Sequence, residues 1–148
     1  MRNSSSINPQ KSYREAAVRG ASPVRLIILL YEQLMEDLRQ ALAALERRDV
    51  EARTREINHA ILVIGHLQDS LDRERGGKVA ENLQHFYDQM RVGLAEAHAR
   101  QSARLLEQRL ANILQVHEAW CQVERSNQSA PAVPLDGGAN STSSEWNA

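Results

Sequence analysis

The 148-residue sequence predicts an all-α fold, an antiparallel four-helix bundle with a short N-terminal cap helix and disordered termini, and three observations carry that reading. Hydrophobic residues make up 42% of the chain and aromatics only 4%, so the apolar content is Leu, Ala, Ile and Val, an aliphatic composition suited to helices. Apolar residues recur at three- and four-residue spacing along four stretches, and strict alternation never persists. The stretches have matched lengths, about 20 residues or roughly 30 Å each, and the short connections between them favour antiparallel neighbours.

In chain order, residues 1–12 are rich in Ser, Asn, Gln and Pro and read as disordered. Residues 13–20, around Tyr13, form a helical pattern too short to hold itself, so they must dock on the bundle as a cap or remain mobile. Ser22-Pro23 opens the first long helix, with Ser accepting from free first-turn amides and Pro where no amide partner is needed. Its stripe is Ile27, Leu30, Leu34, Leu38, Ala41 and Leu45. Asp49 can cap a second helix with Ile57, Ala60, Ile61, Ile64, Leu67 and Leu71 on one face, and Gly76-Gly77 reads as its stop. Val79, Leu83, Phe86, Tyr87, Met90, Leu94 and Ala97 mark the third helix. Ser102 can cap the fourth, which carries Leu106, Leu110, Ile113, His117 and Trp120. The bundle domain is thus expected over 13–125, with a disordered tail at 126–148.

A formal net charge of −1 supplies no long-range field to gather phosphates or acidic lipids, which argues against a nucleic-acid or anionic-membrane binder. The single Cys121 cannot form an internal disulfide. The first residues lack a signal-peptide pattern, and the most apolar run, Val24 to Tyr31, is far short of the roughly 20 residues of a membrane helix. A cytosolic protein without membrane insertion is expected.

Catalytic chemistry finds little support. Gly76-Gly77 has no preceding strand and no following Lys-Ser/Thr pair, so it is not a phosphate loop. His117 lies one turn before Cys121, but no third group is visible to orient it, and packing is the plainer role for a cysteine beside Trp120. Glu56-Ile57-Asn58-His59 matches one half of a di-metal motif, but no second copy exists, and Glu56 and His59 flank the apolar stripe. No enzyme, cofactor or metal is expected.

The informative feature is apolar surplus. In Val24-Arg25-Leu26-Ile27-Ile28-Leu29-Leu30-Tyr31 only Arg25 is polar, so apolar groups point all round the axis and one bundle core cannot cover them. Either the Tyr13 segment folds over the extra face or that face is a groove for another chain's amphipathic helix; a displaceable cover would satisfy both. Gly65 and Gly93, each costing roughly 1 kcal/mol inside a helix, invite close approach of another backbone, from a bundle neighbour or a partner.

The run Ala21-Ser22-Pro23-Val24-Arg25-Leu26-Ile27-Ile28-Leu29-Leu30-Tyr31-Glu32 resembles the entry motif of the FliS family of flagellin export chaperones. Ala60-Ile61-Leu62-Val63-Ile64 leading to Ser70-Leu71-Asp72 and Gly76-Gly77, then Asn82-Leu83 with Tyr87 and Met90, agree in order and spacing. Trp120 and Tyr13 stand where that family has a tryptophan and an N-terminal tyrosine. The resemblance, over residues 13–124, implies a chaperone that binds the disordered C-terminal segment of flagellin in apolar grooves, blocks premature assembly and presents flagellin to the type III export apparatus. It also implies export-gate components and flagellin regulators as further partners, with the chaperone a monomer or weak homodimer.

Carried over, Tyr13 belongs to the cap, while Leu26, Leu29, Tyr31, Asn82, Tyr87 and Met90 line or support the grooves. Phe86 and Trp120 serve the core, Trp146 lies in the tail, and the tyrosines are kept mostly for the binding surface. Three positions depart from the family pattern: His59 replaces a basic residue, Gly93 an Arg, and His98 an Asn. They motivate an alternative, a helical adaptor that binds another flagellar assembly factor.

Overall fold

The computed structural model describes residue 20 and residues 22–129. Residues 1–19, with the expected disordered start and most of the Tyr13 cap, and residues 130–148, with Trp146, lie outside the described residues.

Four helices form among the described residues: α1 (Pro23–Glu46), α2 (Val50–Asp69), α3 (Arg73–Ala99) and α4 (Ala103–Ser129). Each begins at a residue whose side chain satisfies a first-turn amide. Ser22 Oγ accepts from the Arg25 N–H at 3.1 Å, Asp49 from Ala52 at 3.0 Å, Asp72 from Arg75 at 3.0 Å and Ser102 from Leu105 at 3.1 Å. α4 continues to Ser129, past the boundary expected at residue 125.

The first and third connections share one construction. At the end of α1 the Arg48 N–H donates to the Leu45 carbonyl and the Asp49 N–H to that of Ala44; at the end of α3 Gln101 and Ser102 donate likewise to His98 and Ala97. Both are Schellman closures, and the residue in the left-handed position is not glycine: Arg48 has φ 60° and Gln101 φ 51°. The residue that completes each closure is also the next helix's N-cap, so three residues reverse the chain.

Gly76-Gly77 does not end the second helix, as the sequence had suggested. α2 stops at Asp69, and the pair falls after the first turn of α3, where Gly77 adopts φ 52°, ψ −127° and kinks the helix. Val79, expected in the core, is 64% exposed, while the next residue, Ala80, is buried and continues the three- and four-residue spacing of Leu83, Tyr87, Met90 and Leu94.

α1 packs against α2 and α4, and α3 packs against the same two, so α1 and α3 lie diagonally across the bundle. Leu34, Leu38, Ile57, Ile64, Leu67, Leu94, Leu106 and Ile113 are fully buried at its centre. Burial of each such side chain contributes about 1.5–3 kcal/mol. Phe86 and Trp120 pack partly buried against this core, as expected.

Candidate functional site

The apolar run that opens α1 is largely enclosed. Leu26, Ile28, Leu30 and Tyr31 are all buried, with Ile27 and Leu29 half-buried. The surplus is therefore not an open groove along this run. Exposed large apolar side chains lie elsewhere: Val50 and Leu62 on α2, Val79 and Val92 on α3, Leu114 and Val123 on α4.

Among the residues expected to line or support grooves, Asn82 is exposed, Leu29 half-buried and Leu26 8% exposed. Tyr31, Tyr87 and Met90 belong to the core cluster, so they can shape a groove only from beneath. The expectation that the tyrosines serve the surface is corrected for Tyr31 and Tyr87, whose hydroxyls meet 2.8 Å apart across the bundle diagonal. Neither hydroxyl has to be left unpaired in the interior, which is what makes the buried position tolerable. Burial pushes the Tyr31 phenol up to about 12 and raises that of Tyr87 as well, so both stay neutral. Tyr13 lies outside the described residues.

The α1–α2 seam holds a buried carboxylate that sequence reading did not single out. Asp37 is 2% exposed; its Oδ2 lies 2.6 Å from His59 Nδ1 and its Oδ1 accepts from Gln33 Nε2 at 2.8 Å. The hydrogen bond to Asp37 raises the His59 pKa, partly opposed by burial and reinforced by the charges of Asp37 and Glu56. Gln33 and Asp37 are four apart on one helix, and that spacing was the only signal available.

On the α2–α3 seam, buried Arg53 donates from Nε to His98 Nδ1 at 3.1 Å, which fixes the ring proton on Nε2, facing Thr54 Oγ1 at 3.4 Å. Burial, with Arg53 alongside, lowers the His98 pKa. Further along, Gln68 Nε2 donates to Asp88 at 2.8 Å.

The helical glycines receive side chains rather than backbone. A Cβ on Gly65 would sit 3.7 Å from Arg91 Nη2, an ordinary contact. A Cβ on Gly93 would lie 2.8 Å from Arg109 Cζ and 2.9 Å from Cδ, so the Arg109 guanidinium occupies the space that any larger residue would need.

Cys121 Sγ lies 3.6 Å from His117 Nε2, and the same nitrogen is 3.3 Å from Glu32 Oε2. A catalytic triad needs the orienting carboxylate on the other ring nitrogen. Burial and the nearby Glu118 and Glu32 also raise the thiol pKa, which disfavours the nucleophilic thiolate. Glu56 is 7% exposed rather than a flanking group, and His59 is committed to Asp37; no cluster of three metal-binding side chains occurs among the described residues. No described helix is long and apolar enough to cross a membrane.

The family model for the flagellar protein FliS matches residues 6–127. The chain belongs to the FliS family. Its relatives include the flagellar secretion chaperone FliSB of Pseudomonas aeruginosa, 41% identical over 106 residues that cover 72% of this chain and 84% of that one. The FliS chaperone of Salmonella typhimurium is 36% identical over 110 residues, covering 74% of this chain and 82% of its own. That of Bacillus subtilis is 25% identical over 121 residues, covering 82% and 90%. FliS is a family of flagellar secretion chaperones and not of enzymes, in keeping with a cysteine–histidine contact whose geometry does not support catalysis.

Proposed function

We propose that this FliS protein binds the C-terminal segment of flagellin in the cytosol, prevents its premature polymerisation and delivers it to the flagellar type III export apparatus. The family match over residues 6–127 carries the reading. The distribution of exposed apolar side chains supports it, because Leu62, Val92 and Leu114 stand on the outer surfaces of three helices whose inner faces are already packed. A segment that is disordered when free can lay apolar helical faces on such a surface without opening the core.

Ordering the segment consumes about 2–5 kcal/mol of the interaction energy, so the contact must be long. No nucleotide chemistry is required, since a chaperone that binds the monomer lowers the free concentration available for assembly. The protein acts as a monomer or weak homodimer, with export-gate components and flagellin regulators as further partners.

The adaptor alternative draws no separate support from the three unusual positions. His59 bonds Asp37, His98 accepts from Arg53 and Gly93 seats Arg109, so each has a use inside the bundle.

Seeded polymerisation of full-length flagellin followed by light scattering tests the proposal. Equimolar chaperone should suppress filament growth, and prior saturation with the isolated C-terminal segment should abolish that suppression. Growth at an unchanged rate in the chaperone's presence would refute the reading.

A further inference from the structure

Val92 is 68% exposed on α3, and the residues on either side of it turn toward the two neighbouring helices. Arg91 reaches to α2, where its guanidinium overlies Gly65. Gly93 turns toward α4, where Arg109 lies over it. Successive residues are about 100° apart on a helix, so an exposed valine is flanked by one guanidinium on each shoulder of α3.

Both guanidiniums are incompletely paired. Three side-chain N or O atoms among the described residues are buried without a hydrogen-bond partner, and Arg91 Nε and Arg109 Nε are two of them. The third, His66 Nε2, is on α2. Arg109 Nη1 donates to the neutral Asn112 Oδ1 at 3.3 Å, and among the described residues neither arginine forms an ion pair with a carboxylate. Two carboxylates on the same helix have other partners. Asp88 feels the Arg91 charge but accepts from Gln68 and Gln84, and Glu96 pairs with Arg100 at 3.0 Å.

The two buried Nε atoms lie out of a ligand's reach, but neither guanidinium is neutralised by a carboxylate among the described residues, and a carboxylate is the acceptor whose geometry matches the Nη groups at the outer end of the guanidinium fork. We propose that the α3 shoulder formed by Arg91, Val92 and Arg109 is a specificity-determining surface that receives a helical segment of the cargo carrying an apolar side chain flanked by carboxylates. The apolar residue seats on Val92 and the carboxylates pair with the two guanidiniums. Gly93 is a positioning residue, since without its bare backbone Arg109 cannot lie where it does. This inference rests on the flagellin reading and names the chemistry by which the cargo is selected.

The test measures binding of the isolated C-terminal segment of flagellin, and of the same segment with every Asp and Glu changed to Asn and Gln, to the full chain and to an Arg91→Gln/Arg109→Gln variant. The amide segment should bind the wild type about tenfold more weakly, as loss of charge-assisted pairs requires, and the double variant should no longer distinguish the two segments. Val92→Ser should weaken both segments alike. Equal affinity of the wild type for the two segments overturns the inference while leaving the flagellin reading intact, and this comparison needs no variant to fold. Where the double variant has wild-type thermal stability, undiminished discrimination by it also overturns the inference. Failure of the wild type to bind either segment refutes the flagellin reading and this inference together.

Discussion

The hydroxyl oxygens of Tyr31 on α1 and Tyr87 on α3 meet 2.8 Å apart inside the bundle, joining the two helices that lie diagonally across it. Each phenol satisfies the other, with the Phe86 ring centroid 5.7 Å from that of Tyr87 and Trp120 beside the Tyr31 hydroxyl. Tyr31→Phe leaves the Tyr87 hydroxyl short of its partner and should cost about 1–3 kcal/mol in urea denaturation. The double variant Tyr31→Phe/Tyr87→Phe should recover much of that loss, because it removes both members of the hydroxyl pair together. Additive losses in the double-mutant cycle would show that the hydroxyls do not act as a pair.

The two interior glycines should respond to alanine in opposite directions. Gly65→Ala meets only an ordinary contact with Arg91 and should gain roughly 1 kcal/mol of helix propensity. Gly93→Ala collides with the Arg109 guanidinium stem and should lose about 1–3 kcal/mol, as overpacked sites do. Adding Arg109→Ala should restore much of the loss. Chemical denaturation of the four proteins distinguishes this from a uniform propensity effect, in which both glycine replacements would stabilise.

Stability should fall away on both sides of neutrality, through two different histidines. His59 has a raised pKa in the folded state, so its contribution is fully present below the unfolded value near 6.5 and is lost as pH rises through the folded one. His98 has a lowered pKa, so its contribution is present above the unfolded value and is lost as pH falls through the folded one. His59→Gln should flatten the alkaline limb of a plot of midpoint temperature against pH, and His98→Asn the acidic limb. An unchanged profile in either variant would exclude that histidine as the cause.

Arg48 holds a left-handed conformation at φ 60°, where a side chain is strained and glycine is not. Arg48→Gly should stabilise the protein by about 1 kcal/mol, or roughly 3 °C in midpoint temperature for a chain of this size. A lowered midpoint would mean that the Arg48 side chain makes a contribution larger than the strain.

Local features of this fold were legible in the sequence because they depend on neighbours a few residues away. Ser22, Asp49 and Ser102 act at helix starts within three residues of the amides they satisfy, whereas Asp72 was hidden by reading Gly76-Gly77 as the end of the second helix. The stripes of α1 and α2 were likewise readable from spacing. Val79 was misplaced because Val79 and Ala80 both lie at helical spacing from Leu83, and burial falls to Ala80, the one nearer the centre of the inward stripe. Arginines seated over glycines, and a carboxylate on α1 paired with a histidine on α2, require knowing which helices adjoin and at what height. The resemblance to FliS pointed to a flagellin-binding role, but it could not tell that Tyr31 and Tyr87 face each other inside the bundle.

The central claim is that this bundle is a receptor for the end of flagellin, and isothermal titration of the full chain with a segment spanning the last ~40 residues of the same organism's flagellin tests it most directly. Saturable heat with one segment bound per chain, accompanied by a negative heat-capacity change from apolar burial, is the result expected. Absence of heat at tens of micromolar, with the protein folded, would contradict it.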